Sequence, residues 1–312
     1  MSSNYSKEQL TQLIKNKAKQ LGFYACGVAS AQPIDHTNRS SLENWLTKGY
    51  HAAMHYLANH LDKRCDPRLL EPGTKSIIAV ALNYYPSRKI PATEYQLSWY
   101  AYGKDYHDLM RDRMKQLYEY IQTLIPIQGR CFCDTAPILD RYWAWKAGLG
   151  WIGKNTQLII PHAGPTFFLG EILVDIALAY DSPQPSRCGN CTRCLQACPS
   201  QALEEAYLLN ANRCISYQTI ENKKEISKSI ISSLSNKIYG CDDCIKKCPW
   251  VRFAQPTQED NLQISDELLR MKQKDWHTLS QEQYQQLFQK SAVKRAKYAG
   301  LIRNIKAINH SK

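Results

Sequence analysis

The sequence predicts a mixed fold of helices and strands, either α/β or α+β, followed by a cysteine-rich module and a basic helical segment. Three observations predict this organisation. Strand and helix patterns intermingle over residues 1–180, a dense run of cysteines follows, and two proline-containing polar stretches, "DSPQPS" and "AQPTQED", interrupt the chain. We therefore expect a large domain at 1–180, a cysteine-rich domain at 181–256 and a helical segment at 257–312.

The elements of the large domain follow from local patterns. Ser6 and Gln9 form a capping-box pattern, apolar residues then recur at helical spacing, and Gly22 predicts the end of this first helix. Apolar runs at 76–86 and 171–180 predict two buried strands. Two further helices are predicted between these strands, over "YHDLMRDRMKQLYEYIQTLI" and "ILDRYWAWKAG".

The composition is that of an ordinary globular protein, with 44% hydrophobic and 22% charged residues. The longest apolar stretch is interrupted by Glu171 and Asp175, so no membrane span is predicted. The polar start, "MSSNYSKEQL", carries no export signal, so the 12 cysteines should remain reduced and are better explained as metal ligands than as disulfides. We expect a cytoplasmic protein that does not associate with membranes.

Four of the cysteines, at 188, 191, 194 and 198, follow the spacing of bacterial ferredoxins, C-x2-C-x2-C-x3-C-P, in which the first three thiolates bind one [4Fe–4S] cluster and the fourth binds another. A second run, "CDDCIKKCP", has Ile238 where its first cysteine is needed, and Cys214 is the obvious replacement. The predicted ligands of the first cluster are Cys188, Cys191, Cys194 and Cys248. Those of the second cluster are Cys198, Cys214, Cys241 and Cys244.

Structural zinc is the alternative explanation of these cysteines. Zinc sites use two separated pairs of ligands, and a triple at period three before a fourth cysteine and a proline fits them poorly. Two clusters move electrons one at a time, and these electrons need a final acceptor. A bare ferredoxin would need far fewer than 312 residues, so the large domain must hold an acceptor or a substrate.

The charge is strongly basic, with a formal net charge of +12 and an isoelectric point near 9.1. The last 30 residues contain seven Lys or Arg and no Asp or Glu. This run predicts either a solvated helical tail or a surface that binds a polyanion such as nucleic acid, and charge alone does not decide between them.

Motifs spread along the chain resemble those of one family. They are, in order, "DPRLLEPGTKSIIAVALNYYP", "YAYGKDYHDLMRDRM", "DTAP", "KAGLGWIGKN", "FFLGEILVDIAL", the two cysteine runs, "CISYQTIE" and "SAVKRAKYAGLIRN". Together they resemble the epoxyqueuosine reductase (QueG) family, which is related to the reductive dehalogenases. The resemblance implies a cobalamin-binding domain of nitroreductase-like fold that works with two [4Fe–4S] clusters. It implies reduction of epoxyqueuosine to queuosine at the wobble position of tRNA, the last step of queuosine biosynthesis.

The stretch "GLGWIGKNTQLII" is the main candidate for contacts with cobalamin. Its glycines allow close backbone approach to a ligand, Trp151 could cover a flat ring system, and the polar residues after it could bond amides. The alternative is a glycine-rich turn before a strand, with an ordinary core tryptophan. The full predicted cobalamin set is Leu57, Trp151, Gly153, Lys154, Asn155, Thr156, Ser216 and Gln218. No Asp-x-His-x-x-Gly signature is present, so no histidine is nominated as a cobalt ligand, and the scattered histidines receive no role.

The resemblance places the catalytic proton donor at Asp134, whose alternative role is to cap the helix that follows it. The predicted tRNA contacts are Lys223, Lys294, Arg295, Lys297 and Arg303. We expect tRNA and an unidentified electron donor as partners of a monomer. The rival hypotheses are a dehalogenase-like enzyme acting on a small molecule, and an iron–sulfur protein that only transfers electrons or binds nucleic acid.

Overall fold

The computed structural model describes residues 5–309. Its helices are α1 Lys7–Gln20, α2 His36–Thr47, α3 Leu61–Cys65, α4 Pro67–Leu70, α5 Tyr106–Leu124, α6 Asp140–Lys146, α7 Arg193–Gln196, α8 Ile215–Ile220, α9 Lys228–Leu234, α10 Asp243–Lys246, α11 Asp266–Arg270, α12 Gln273–His277, α13 Gln281–Leu287 and α14 Lys297–Asn309. Its strands are β1 Ala25–Ser30, β2 Ser76–Asn83, β3 Gln96–Leu97, β4 Gly129–Phe132, β5 Trp151–Ile152, β6 Leu158–Ile159, β7 Phe167–Val174, β8 Leu203–Glu205, β9 Leu208–Leu209 and β10 Lys237–Tyr239. Short 3₁₀ turns lie at His55–Leu57, Trp99–Ala101, Pro249–Phe253, Asp260–Leu262 and Ala292–Ala296.

The core of the large domain is a four-stranded sheet in the order β1-β2-β7-β4, and every neighbouring pair in it is antiparallel. The fold is therefore α+β, one of the two alternatives that the sequence predicts. α5 packs against one face of the sheet through Met110 and Met114, which approach Gly170 of β7. α6 packs against the opposite face, in an apolar cluster that contains Trp143, Ala79 and Leu173.

The predicted start of α1, which rests on a side-chain cap, is confirmed, whereas the predicted bounds of the strand at 171–180 are not. Ser6 Oγ accepts from the amide of Gln9 at 3.2 Å and Gln9 Oε1 accepts from the amide of Ser6 at 2.8 Å, which confirms the capping box of α1. The strand predicted at 171–180 is instead Phe167–Val174. Leu178 remains buried beyond this strand, so the apolar run reports burial rather than strand pairing.

The cysteine-rich region and the C-terminal helices are tied to the large domain. β10 pairs in parallel with β3, and the buried Asp242 accepts a hydrogen bond from the amide of Trp99 at 2.8 Å. Asn304 of α14 is fully buried and donates to the carbonyls of Thr219 and Ile238, both at 2.8 Å. One apolar cluster consequently runs from α1 to α14. The three-part division of the chain stays a prediction.

The part of the chain from 5 to 309 contains no helix with the length and apolar character needed to cross a membrane.

Candidate active site and cluster sites

The first predicted cysteine set lies around one cavity. This cavity has a volume of about 160 Å³, and Cys188, Cys191, Cys194 and Cys248 all line it. α7 packs against α10, and Cys248 of the second cysteine run lies two residues after α10, beside the first three thiols. Burial, and then the nearby Cys188, Cys194 and Cys191, raises the pKa of Cys248 to about 11. Four thiols from two segments around a small cavity fit a [4Fe–4S] cluster.

The second set is also brought together. Burial, and then the charges of Cys241, Cys214, Asp242 and Cys198, raises the pKa of Cys244 well above its usual range, so the other three thiols of the set lie within electrostatic range of Cys244. The amide of Ala202 donates to Cys198 Sγ at 3.1 Å, an interaction that would stabilise a thiolate ligand. Ile238, which stands where the second run lacks a cysteine, is fully buried in β10, and the assignment of Cys214 to the second cluster stays a prediction.

Among residues 5–309, no three His, Cys, Asp or Glu side chains converge on the position of a single metal ion. The cysteine spacing, rather than this finding, favours [4Fe–4S] clusters over structural zinc at both sets.

Asp134 lies two residues after the end of β4, in the left-handed backbone region, with φ +58°. The hydroxyl of Tyr106 donates to Asp134 Oδ2 at 2.8 Å, and His107 Nε2 lies 3.4 Å from the same oxygen. The alternative of a helix cap is wrong for this residue, because α6 begins six residues later with Leu139 at its N-cap position and no side-chain cap. A non-glycine residue held at positive φ next to two polar partners is typical of a functional site.

The charges around Asp134 favour its ionised form in the absence of a ligand. The hydrogen bond from His107 comes first among the causes that lower the pKa of Asp134, and burial opposes it. The hydrogen bond to Asp105, at 2.6 Å, and then that to Asp134 raise the pKa of His107 to about 9. His107 is therefore protonated at neutral pH. The side chain of Asp134 is 63% exposed, so a docked ligand would increase its burial and raise its pKa.

Tyr56 and Arg295 lie within electrostatic range of Asp134, and we call the surface around these three residues the cleft. Arg295 makes a two-pronged ion pair with Glu221, at 2.7 and 3.0 Å, and its charge reaches both Tyr56 and Asp134. Tyr56 is 49% exposed, and Leu57 follows it in the same 3₁₀ turn. The cleft thus collects residues from four distant parts of the chain around Asp134.

The predicted residues after "GLG" lie beside the first cysteine set. Lys154 and Asn155 line its cavity, Lys154 Nζ donates to the carbonyl of Gly189 at 2.6 Å, and Asn155 Nδ2 donates to the carbonyl of Cys244 at 3.3 Å. Asn155 therefore bridges the two cysteine sets. Thr156 follows it at a positive φ of 64°.

Trp151 is the buried ring of this stretch, and it packs against Trp250 with 4.8 Å between the ring centroids. Gly153 has no room for a side chain, because a Cβ would come within 2.7 Å of Asn155 Oδ1. These positions fit the alternative of a core tryptophan beside a tight turn, and the role of the stretch in binding cobalamin stays a prediction.

Two residues of α8, Ser216 and Gln218, are predicted cobalamin contacts, and Gln218 uses its side-chain amide in hydrogen bonds within the protein. Its Nε2 donates to the carbonyl of Asn212 at 2.6 Å, and its Oε1 accepts from Asn222 at 2.7 Å. Ser216 is partly exposed near the N-terminal end of the same helix, close to Cys214. Both contacts with cobalamin stay predictions.

The predicted tRNA residues fall into two groups. Lys223, Lys294, Arg295 and Lys297 are exposed. Arg303 is only partly exposed, and it donates to the carbonyls of Asn222, Lys224 and Gln218 at 2.6, 2.6 and 2.8 Å. Its guanidinium is thus used within the protein, which a count of basic residues cannot reveal.

Sequence reasoning missed four residues of the cleft: Tyr106, His107, Asp140 and Glu171. Their relation to Asp134 depends on the packing of α5, α6 and β7 around β4, and no local spacing records it. The one available signal was Glu171, an acidic residue inside an apolar strand pattern.

Comparisons with known proteins agree with this architecture. Residues 64–135 match the family model described as "Epoxyqueuosine reductase QueG, DUF1730", and residues 187–251 match the "4Fe-4S double cluster binding domain". The chain is 44% identical over 301 residues to an epoxyqueuosine reductase of Cellulophaga algicola, covering 96% of this chain and 98% of that protein. It is 39% identical over 313 residues to the epoxyqueuosine reductase of Escherichia coli, covering 98% and 82%.

Solved structures are similar over nearly the whole chain. An epoxyqueuosine reductase in complex with an epoxyqueuosine-modified tRNA-Tyr stem loop superposes with a TM-score of 0.90 at 29% identity, covering 97% of this chain and 81% of that chain. An epoxyqueuosine reductase from Bacillus subtilis, described with its catalytic aspartate loop swung out of the active site, gives a TM-score of 0.90 at 28% identity, covering 97% and 82%.

The α+β domain, the double-cluster region and the acid-containing cleft between them define an iron–sulfur oxidoreductase. Within that class, the chain belongs to the epoxyqueuosine reductase family.

Proposed function

We propose that this protein reduces epoxyqueuosine to queuosine in the anticodon of tRNA, with Asp134 as the proton donor. The reaction consumes two electrons and two protons and releases the epoxide oxygen as water. The observation that carries the proposal is Asp134 itself, held at φ +58° between Tyr106 and His107, in a cleft that also contains Arg295 of the basic C-terminal segment.

The cleft residues fit cobalamin. A large planar ligand needs exposed apolar surface and uncharged polar partners. Tyr56 and Leu57 offer apolar surface near Asp134, and the partly exposed Ser216 offers a hydroxyl at the start of α8. When bound, cobalamin would supply a low-potential metal centre for reductive cleavage of a carbon–oxygen bond. Leu57 and Ser216 would hold it from the cleft side, and Trp151, Gly153, Lys154, Asn155, Thr156 and Gln218 remain proposed contacts.

Asp134 would act as an acid only after its environment changes. In the free protein His107 keeps the pKa of Asp134 low. Docking of the cofactor and of an unstacked nucleotide would remove water from a side chain that is now 63% exposed, and burial favours the protonated carboxyl. His107, protonated at neutral pH, would orient Asp134 and stabilise it after the proton has left.

The proposed electron path runs from the first cluster to the second. Asn155 contacts both cysteine sets, which supports their proximity. Cys214 directly precedes α8, and Glu221, the residue after α8, is paired with Arg295 at the cleft. The second cluster would therefore be the one nearer the cleft, and an electron donor would deliver electrons to the first.

The similar enzyme whose structure contains a tRNA-Tyr stem loop supports tRNA as the substrate here. Lys223, Lys294, Arg295 and Lys297 would contact phosphates, because they are exposed and lie beside the cleft mouth formed by Arg295. We further propose that the protein acts in the cytoplasm as a monomer, with the domain boundaries predicted from the sequence.

The decisive experiment is turnover of epoxyqueuosine-containing tRNA by the iron-loaded protein with a chemical reductant. We expect formation of queuosine only when cobalamin is added, and no reaction with a small organohalide in its place. Turnover of the organohalide without any reaction of the tRNA would favour the dehalogenase alternative. A holoprotein spectrum without corrinoid bands, after cobalamin is supplied, would contradict the cofactor assignment.

A further inference from the structure

A carboxyl group is buried inside the sheet beneath the catalytic loop. Glu171 lies in β7 between Leu169 and Leu173, opposite Ala79 of β2 and Phe132 of β4. It is 0% exposed, and its oxygens face no hydrogen-bond donor among the described residues. The group within hydrogen-bonding reach of it is the carboxyl of Asp140. Two buried carboxyls cannot both be charged at low cost, so their presence beside an otherwise apolar layer calls for a chemical explanation.

Asp140 connects this group to Asp134. Asp140 is the first residue of α6, and its Oδ1 accepts from the amide of Asp134 at 3.4 Å. Burial, and then the charge of Asp140, raises the pKa of Glu171 well above its usual range. Burial, and then the charge of Asp134, raises the pKa of Asp140. Three carboxyls thus form a series from the core of the sheet to the cleft.

The groups facing this series come from several elements. Cys133, between β4 and Asp134, is neutral because burial raises its pKa above the usual range. The cation acting on Asp140 is the buried Arg64 of α3, whereas Arg141 of α6 and His107 of α5 act on Asp134. Asp140 therefore interacts with the Glu171 carboxyl, whose pKa is raised by burial, and with the Arg64 cation, a setting in which it can hold a proton and afterwards tolerate the negative charge.

The chemistry of the reaction requires a second proton at the same place. Both carbon–oxygen bonds of the epoxide break, and the oxygen leaves as water, so both protons must reach that one oxygen before the product leaves. Asp134 carries only one proton, and at neutral pH free protons are too scarce in bulk water to replace it quickly. The donor must be recharged within a single turnover.

We propose that Asp140 and Glu171 form a proton store that recharges Asp134 during turnover, an inference that rests on the proposed function. Asp140 gives its proton to the Asp134 carboxylate, across a short water bridge. Glu171 keeps its own proton and donates a hydrogen bond to the resulting Asp140 carboxylate, which Arg64 also stabilises. No electrons move in this step, and Asp140 recovers its proton from water after the tRNA has left. Asp140 and Glu171 act through Asp134 and are positioning residues, not groups that touch the substrate.

The test uses the holoenzyme and two conservative variants, Asp140→Asn and Glu171→Gln. Asn can still accept from the amide of Asp134, so the catalytic loop should keep its shape. We expect kcat to fall by about 10-fold or more, less than the 10²–10⁴ of a direct acid, while KM for tRNA stays the same. The lost rate should be restored by a small protonated buffer acid such as acetic acid, and the solvent deuterium isotope effect should increase. Glu119→Gln, on the exposed face of α5, is the matched control, with no expected change.

Two measurements separate this proposal from a purely structural role. Glu171→Met should raise Tm, because it removes a buried carboxyl that faces a second carboxyl, and should still lower kcat. The infrared difference spectrum between the wild-type holoenzyme and Glu171→Gln should contain the carbonyl band of a protonated carboxyl that is present only in the wild type. Slow variants that no buffer acid restores, or a wild-type spectrum without that band, would overturn the proton store. If the wild-type enzyme does not reduce epoxyqueuosine-containing tRNA at all, the proposed function fails instead.

Discussion

Asp134 is held in a backbone conformation that few non-glycine residues adopt, and its carboxylate is fixed by two residues from the start of α5. The resemblance and the chemistry of epoxide opening were sufficient to nominate this residue. They were insufficient to nominate its partners, because Tyr106 and His107 lie 28 and 27 positions earlier in the sequence and meet it only when α5 packs on the sheet. Periodicity identifies which face of α5 is buried, whereas the residues at its first turn have no such marker.

At this scale the first prediction is that Asp134→Asn loses most of its turnover, by about 10²–10⁴-fold, because the amide cannot donate a proton to the oxygen. Cluster content and tRNA affinity should be unchanged. Tm should not fall, since Asp134 caps no helix and Asn tolerates the left-handed region well. A variant with near wild-type turnover and lowered Tm would return the residue to a structural role.

The second prediction concerns the protonation of His107, whose pKa is raised from 6.5 to about 9, first by Asp105 and then by Asp134. A raised pKa means that the folded state binds the proton more tightly than the unfolded state. The stabilisation is therefore complete below pH 6.5 and is lost as the pH rises through about 9. We expect the difference in Tm between wild type and His107→Gln to shrink across this range.

The control for that measurement is Asp108→Asn, which removes an exposed carboxylate of the same helix, paired with Arg111 at 2.5 Å. Its Tm difference from wild type should not depend on pH in this window. A His107→Gln difference that is equally large at both ends of the window would show that the histidine is not bound to a carboxylate in the way described.

At the scale of elements, the sequence predicted the positions of helices better than the ends of strands. α5 and α6 differ from their predicted ranges by no more than two residues at either end, because amphipathic periodicity is a property of the helix itself. The end of β7 was misplaced, because residues after Val174 remain apolar and buried while they no longer pair with a neighbouring strand. The cysteine spacing was the most informative local signal, since a cluster constrains residue type and interval together.

The third prediction is that each cluster is bound by one cysteine from the other cysteine run. Because α7 packs against α10, Cys248→Ala should damage the cluster of Cys188, Cys191 and Cys194. Cys198→Ala should damage the other cluster, and the wild type should contain about eight irons per chain. Iron analysis with Mössbauer and electron paramagnetic resonance spectra measures this. Selective loss of the Cys188 cluster in Cys198→Ala would contradict the assignment.

The fourth prediction separates two roles within the C-terminal helices. Lys294→Ala and Lys297→Ala should weaken tRNA binding for any sequence, and each lost phosphate contact should flatten the log–log salt dependence by roughly 0.7–0.9. Arg303→Ala should instead leave that slope unchanged and lower the free energy of unfolding by about 2 kcal/mol, because three internal carbonyls lose a charged donor. Equal effects of all three variants on the salt slope would assign Arg303 to the RNA-binding surface as well.

At the scale of the whole molecule, the three-part division of the chain stays a prediction, and contacts tie its predicted parts together. The parallel pairing of β10 with β3 joins the cysteine-rich region to the large domain, and Tyr239 of β10 donates to the carbonyl of Ala292 at 2.7 Å. Such contacts join positions more than 50 and more than 140 residues apart, and no pattern read along the chain predicts them.

The fully buried Asn304 has a consequence for the assembly of the enzyme during its synthesis. Its side chain provides hydrogen bonds to Ile238 in β10 and to Thr219 in α8, and these two elements also carry or adjoin the second cysteine set. A nascent chain whose α14 has not yet left the ribosome cannot form these hydrogen bonds to β10 and α8. The first cluster can therefore be assembled on a shorter emerging chain than the second needs. We expect iron delivery to the two sites to be ordered in time, with the site nearer the cleft filled last.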